Sequence, residues 1–474
     1  MSSRIAGSSR RSTNSFQQVV SGFLKEPGLP FSGVLTAEVI AAVFAKHDGL
    51  FGMSSIYSTA TVLWAFLGQV LRDGKLAACQ SAVASIIAHR QLLGLETPTA
   101  DTGDYCRARA KLNEDALREL AGTVANHCEQ AADESWLTKK RHVKLIDGLT
   151  FTMPDTRANQ HQYPQAKTQA VGVGFPIARC VAVISLATAC VIDLAIGPYA
   201  GKQTGETALL RQIMNVLVPK DIAVFDRYYC SFMVIVAMAN QGVDVCCRKH
   251  QLRRSDFRRG KRLGKYDHLI VWQRPLQCPQ WMDKEEFAKI PKTLTLRELK
   301  LSISTPGFRT KSIIVITTLT DVDEFSKEDI AELYGYRWNV ELDVRSLKCN
   351  LNLDHVRCKS PEMVRRELWT TVLAYNLIRS TAAAAALLHA VKPRQISFTS
   401  TVQFVLQEWS LLAKQWIQPP LLLNFANKML QSIAACTVAD RPGRIEPRVI
   451  KRRGKSYKWM TQPRHVLKAK LANS

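Results

Sequence analysis

Tyr334, Arg337, Glu341 and Lys348 fall within the stretch Glu332-Leu-Tyr-Gly-Tyr-Arg-Trp-Asn-Val-Glu-Leu-Asp-Val-Arg-Ser-Leu-Lys348. After Gly335 it holds no glycine or proline and is rich in residues that favour or tolerate helix. Each helical residue advances about 100° around the axis, so Tyr334, Arg337, Glu341, Arg345 and Lys348 share a stripe about 80° wide. Leu333, Tyr336, Val340, Val344 and Leu347 form the adjoining apolar face. A carboxylate flanked by cations and a phenol at a core boundary suits a metal ion and phosphates together. Mixed charge is also what a plain solvated helix face displays, so the rest of the chain has to decide.

Two further carboxylates stand out by context. Asp147 interrupts the strand-like run Val143-Lys-Leu-Ile-Asp-Gly-Leu-Thr-Phe-Thr152, and Asp226 ends Ile222-Ala-Val-Phe-Asp226. A carboxylate in or at the end of a buried strand is costly unless it is paired or meets a cation. Taken singly, each is better read as a helix cap or turn-forming residue. With Glu341 they make a set able to hold two divalent ions about 4 Å apart for in-line phosphoryl transfer. Oxygen donors favour Mg²⁺, with Mn²⁺ as a substitute.

Composition points the same way. The 474 residues carry a formal net charge of +24, the excess that a polyanion, most often nucleic acid, would match. Nine Lys or Arg crowd positions 248–265, including Arg253, Arg254, Arg258 and Arg259, and eleven more lie in 440–474, including Lys451, Arg452 and Arg453. No apolar run reaches the roughly 18 residues of a membrane span, so no membrane partner is expected. Residues 1–17 are rich in Ser and Arg with no signal-peptide core, which reads as a short disordered tail on a cytoplasmic, nucleoid-associated protein. The twelve cysteines include no CxxC pair, against zinc ribbons and for small buried residues in a reducing compartment.

Elements must position these groups. Helical spacing covers 37–46, 57–71, 76–93 and 104–132. Arg107, Arg109 and Lys111 fit either the recognition helix of a helix-turn-helix-like unit or an ordinary bundle surface. Strands are expected at 143–153, 176–197 (two, joined near 188), 222–226 and 243–248, with helices near 206–217 and 232–241. That alternation indicates an α/β core. Strand-like pieces at 266–272, 294–304 and 309–319 form a basic, β-rich insertion. Helix resumes at 326–351 and 361–389.

The spacing Tyr334-x2-Arg337-x3-Glu341-x6-Lys348 resembles the Tyr-Arg-Glu-Lys signature of bacterial DDE-type insertion-sequence transposases, insertion-sequence family four. Further motifs match in order: Asp147-Gly148 with Met153-Pro-Asp155-Thr156, Gly174-Phe-Pro-Ile-Ala-Arg179, Gly205-Glu-Thr-Ala-Leu209, Phe225-Asp226-Arg-Tyr-Tyr229 and Leu373-Ala-Tyr-Asn-Leu-Ile-Arg379. The resemblance implies an α/β chain with a ribonuclease H-like catalytic core, a β-rich insertion and a helical N-terminal domain. It implies that Asp147, Asp226 and Glu341 are catalytic and bind two Mg²⁺ ions. It implies that Tyr334, Arg337 and Lys348 position phosphates near the cut element end, with Arg345 on the same face. Trp272 and Trp281 are candidates for stacking on a flipped base, and core packing is the competing reading of each.

The division expected on this reading is a disordered tail at 1–15, a helical DNA-end-binding domain at 16–139 and the catalytic core at 140–248 and 321–392. The β-rich basic insertion takes 249–320, and a helical C-terminal region with a basic tail takes 393–474. The implied function is transposition: binding of double-stranded DNA at the inverted-repeat ends, cleavage, and joining to target DNA by a homodimeric synaptic complex. A ribonuclease H-like nuclease without strand transfer would share the carboxylates but need no end-recognition domain. A catalytically inactive DNA-binding regulator would not need the intact acidic set.

Overall fold

The computed structural model describes residues 37–52, 55–92, 94–302, 312–412, 419–438 and 460–472. The expected tail at 1–15 and the basic triplet Lys451, Arg452 and Arg453 lie outside the described residues.

The described residues open with five α-helices, α1 (Ala37–Lys46), α2 (Thr59–Val70), α3 (Cys79–Leu92), α4 (Gly103–Arg109) and α5 (Glu114–Gln130). The Ser58 and Asn113 side chains cap α2 and α5 by accepting from free first-turn amides. The expected single helix over 104–132 is two helices, because Asn113 starts a new one. Arg109 does not face outward. Its guanidinium donates to Gln69 and stacks over Phe66 and Tyr105, which takes it out of any recognition surface.

Then come β1 (Val143–Thr152), α6 (Arg157–Gln162), β2 (Ile177–Ser185), β3 (Val191–Pro198), α7 (Glu206–Ile213), β4 (Ile222–Phe225), α8 (Phe232–Asn240) and β5 (Asp244–Arg248). The basic segment leads into β6 (Lys261–Gly264), β7 (Asp267–Gln273), α9 (Lys284–Lys289), β8 (Thr293–Ser302) and β9 (Ser312–Thr317). Helices α10 (Lys327–Gly335), α11 (Trp338–Arg345), α12 (Pro361–Leu388), α13 (Phe398–Leu412), α14 (Pro419–Ala435) and α15 (Arg464–Ala472) complete the described chain.

The nine strands among the described residues form one sheet in the order β3-β2-β1-β4-β5-β9-β8-β7-β6. Strands β1, β4 and β5 run parallel, while β2 and β3 run antiparallel to their neighbours. The β-rich insertion does not stand apart from this sheet. Its last strand β9 pairs with β5, Cys247 opposite Ile316, so the insertion's strands extend the sheet.

Alternation along β1 divides the core. Leu145, Leu149 and Phe151 face a layer built from α1–α5 and α12, whereas Ile146 faces the layer of α7 and α8. Helix α12 is capped by Ser360 and starts with proline, which suits a first turn. By length and average composition α12 is long and apolar enough to cross a membrane, although no unbroken apolar run in it reaches 18 residues. Asn376 and Arg379 break the apolar run while leaving the helix apolar on average. The helix is a core element, 78% buried over that window.

Candidate active site

Backbone register brings the first two carboxylates side by side. Ile146 of β1 pairs with Phe225 of parallel β4, so Asp147, midway along β1, lies beside Asp226, the residue that follows the last pair of β4. Adjacent strands lie about 4.8 Å apart, and the two charges are close enough to interact. Both residues are half-buried. Asp147 accepts a hydrogen bond from the Gly148 amide, and Asp226 accepts one from the Tyr228 amide that shapes the following turn.

Glu341 arrives from α11, which packs against β1. The Arg337 guanidinium spans the gap: one nitrogen lies 2.7 Å from Glu341 Oε1 and another 3.8 Å from Asp147 Oδ2. Among the described residues, no group of three or more acidic, histidine or cysteine side chains stands at metal-ligating spacing. Glu341 is held by Arg337 instead.

Burial pushes the Asp147 carboxyl up to about 6. The Gly148 amide and Arg337 oppose the rise, and the charges of Asp226 and Glu206 add to it. Burial works against the Arg337 charge, but pairing with Glu341 and proximity to Tyr334 and Asp147 raise its pKa overall.

The helical stripe is modified by the local backbone. Ser326 and Asp329 form a capping box on α10, and a turn at Tyr336–Arg337 separates α10 from α11. A π-helical turn over Ser346–Asn350 follows. Leu333, Val340 and Leu347 are buried as the periodicity requires. Tyr334 is buried beside them, and burial raises its phenol. Lys348 sits in the π turn and pairs with Asp354 at 2.9 Å. Arg345 is exposed.

The basic insertion shows a similar mixture. The Arg253 guanidinium lies 3.8 Å from the centroid of Trp272, which is itself buried in the core. The Arg254 carbonyl accepts from Lys249. Arg258 and Arg259 project outward and pair with Asp256. Trp281 is partly exposed under the Arg211 guanidinium.

The residue alphabet and the order of these motifs agree with the family comparison. The Transposase DDE domain family matches residues 138–377. The chain belongs to this family of DDE transposases. It is 24% identical over 368 residues to the transposase InsG for insertion sequence element IS4 of Escherichia coli (strain K12), covering 76% of this chain and 78% of that protein. It is 38% identical over 66 residues to the putative transposase InsL for insertion sequence element IS186A of the same strain, covering 14% of this chain and 18% of that protein. The cryo-EM structure of the piggyBac transposase synaptic complex with hairpin DNA is a loose likeness. Its TM-score is 0.42 at 10% identity, over 93% of this chain and 87% of that one.

As a DDE transposase the protein is a DNA-acting polynucleotidyl transferase of an insertion element, and its family generally works with divalent metal ions. Two groups near the site went unassigned in the sequence. Asp343, two residues beyond Glu341, is fully buried and paired with Arg379 and Arg394. The signal for it was an acid among the apolar residues of the helix, together with Arg379 in the Leu373–Arg379 motif. Glu206 of the Gly205–Leu209 motif lays its carboxyl group over Gly148, next to Asp147.

Proposed function

We propose that Asp147, Asp226 and Glu341 are the catalytic, metal-holding carboxylates of this transposase. The observation that carries this reading is one guanidinium, Arg337, reaching both Asp147 and Glu341 while β-register sets Asp226 beside Asp147. An all-oxygen donor set with neighbouring half-buried carboxylates fits a hard divalent cation, Mg²⁺ or its substitute Mn²⁺, and a pair of ions rather than one. When bound, such ions activate a water or 3′-hydroxyl and stabilise the leaving oxygen of the phosphodiester. The strand order β3-β2-β1-β4-β5, with antiparallel β1–β3 and parallel β1, β4 and β5, supports a ribonuclease H-like core.

The protein's own side chains supply position and charge. Arg337 occupies the space between two acids, and a scissile or neighbouring phosphate is the anion that would draw it away and free Glu341. Tyr334 and Lys348, as the family resemblance implies, then orient that phosphate. Arg345 gives a further outward cation. Arg253, Arg254, Arg258 and Arg259, with Lys451, Arg452 and Arg453, contact the DNA backbone, and the helices before β1 hold the element end. The assembly is a homodimer with two inverted-repeat ends in a synaptic complex, acting in the cytoplasm at the nucleoid.

The test uses duplexes bearing the element's terminal repeats, uncut and precut. Asp147→Asn, Asp226→Asn and Glu341→Gln should each lose cleavage and joining while still binding uncut ends. Cleavage at the parental rate by any of the three would remove that residue from the site. Joining of precut ends to target DNA separates this reading from a nuclease without strand transfer, which would cleave and not join.

A further inference from the structure

Glu206 opens α7 and turns its carboxyl group back onto β1. A Cβ on Gly148 would stand 2.5 and 2.8 Å from the two Glu206 oxygens. Gly148 is not among the residues with positive φ, so its backbone makes no demand for glycine. The glycine provides space, and Glu206 fills it. Gly148 is the neighbour of Asp147 and lies on the opposite face of β1, the face covered by α7. Glu206 is near enough to Asp147 and Asp226 for their charges to oppose its own.

Against burial and the charge of Asp226, the Tyr229 hydroxyl and Arg179 are what favour the Glu206 charge. Arg179 is the cation it senses, but that guanidinium donates to the Thr204 carbonyl at 3.2 Å and lies 4.5 Å from the Tyr199 ring centroid. A second observation points into the same space. Tyr229 is fully buried beside Glu206, Asp147 and Asp226; its hydroxyl leans toward the Glu206 carboxylate, but no acceptor stands at full hydrogen-bond geometry. A fully buried hydroxyl with only a loosely placed acid to lean on, beside two further acids, is a polar group able to meet a ligand or its water. An acid in the first turn of a helix is favourable by itself, but that role is met by a side chain pointing to solvent. It does not explain a carboxylate packed on a glycine of the catalytic strand.

We propose that Glu206 is a fourth carboxylate of the divalent-metal centre, reaching it from the α7 face of the sheet through the gap left by Gly148, while Glu341 comes from the α11 face. This rests on the assignment of Asp147, Asp226 and Glu341 to that centre. On this assignment Asp147, Asp226 and Glu206, which stand outside metal-ligating spacing here, would close on a cation even while Glu341 is tied to Arg337.

The experiment is calorimetric titration of the full-length, DNA-free protein with Mn²⁺, comparing the parent with Asp147→Asn, Glu206→Gln and Gly148→Ala. Glu206→Gln keeps shape and removes charge. Gly148→Ala keeps every carboxylate and displaces Glu206 at its flexible end. Both should weaken Mn²⁺ binding, Glu206→Gln by about tenfold or more, the size of effect seen when groups around a metal are removed. Parental Mn²⁺ binding by both variants, with Asp147→Asn impaired, would overturn the role of Glu206 and leave the centre intact. Parental binding by Asp147→Asn would overturn the centre and this inference with it. Should Glu206→Gln fail to fold, Gly148→Ala decides: parental Mn²⁺ binding by that variant overturns the proposal, and weakened binding upholds it.

Discussion

Asp343 and Asp147 are both acids set into the core-facing structure, and the protein treats them in opposite ways. Asp343 has no exposed surface and is saturated: Arg379 approaches Oδ1 at 3.1 Å, Arg394 reaches both oxygens at 3.1 and 2.9 Å, and the Tyr375 hydroxyl lies 3.4 Å away. Asp147 has a side chain 23% exposed, a single amide donor, a cation at 3.8 Å shared with Glu341, and two acids for neighbours. Helix α11 carries both solutions within two residues, Glu341 toward the site and Asp343 toward α12. A fully neutralised acid fixes the helix in place. Under-neutralised acids leave free energy to be recovered when a cation binds. Structural and chemical carboxylates are thus distinguished by how completely the protein satisfies them.

The largest effects should come from crossing these roles. Asp147→Asn should remove cleavage altogether, yet leave urea stability unchanged or raised, because it relieves repulsion with Asp226 and Glu206. A loss of stability as large as the loss of activity would make Asp147 a structural acid. Asp343→Ala should do the reverse first. It strands Arg379 and Arg394 in a buried space, which costs about 3–5 kcal/mol, measurable by urea denaturation. Mn²⁺ affinity of the fraction still folded should remain near the parental value. If Asp343→Ala unfolds no more readily than the parent, the contrast between the two acids is wrong.

Acid should separate satisfied from unsatisfied groups without mutation. Glu129, at the end of α5, lies 3.0 Å from His142 and also pairs with Lys144 of β1. Burial opposes its charge, but the His142 and Lys144 contacts win and hold the carboxyl at about 2, against 4.5 for an ordinary glutamate. The folded state thus binds this proton more weakly than the unfolded chain does. The stabilisation is present above about 4.5 and is lost as pH falls from there toward 2. Glu129→Gln should flatten the stability–pH profile in that window. An unchanged profile would show that the Glu129 cluster does not anchor α5 to the sheet.

Much of this site was legible because its signals are local. Strand β1, the turn after β4 and the helix with Glu341 were placed by periodicity within a few residues, and Arg337–Glu341 is a four-residue spacing on that helix. What was hidden depends on pairing across long separations. The β5–β9 pairing that joins the insertion to the sheet links residues 246–248 with 315–317, and no periodicity encodes a partner. The spacing of Arg109 suits a surface cation, but Gln69 and the Phe66 ring, which enclose it together with Tyr105 from its own helix, come from the separate helix α2. Glu206 was in view as part of a motif, but only the register of β1 against α7 shows Gly148 making room for it. Lys348 was placed on the stripe by ideal geometry, and the π turn at Ser346–Asn350 changes the helical phase on which that placement rested.

The smallest effect concerns the insertion, where cations differ in the same way as the acids do. Arg253 is committed to the Trp272 ring, so its loss disturbs packing as well as charge. Arg258 and Arg259 are almost wholly exposed, with side chains 90% and 87% accessible, and answer only to Asp256. Replacing both by alanine should leave thermal stability at the parental value. If each neutralises one phosphate, the slope of log binding constant against log salt should become shallower by about 1.8, since each phosphate contributes about 0.9. Asp256→Asn should shift the balance the other way, because it releases both guanidiniums from their internal partner, and DNA affinity at low salt should rise. Filter-binding titrations across a range of salt concentrations measure both variants. If the double alanine variant keeps the parental slope, these arginines form a solvated face and the DNA path runs elsewhere on the basic surface.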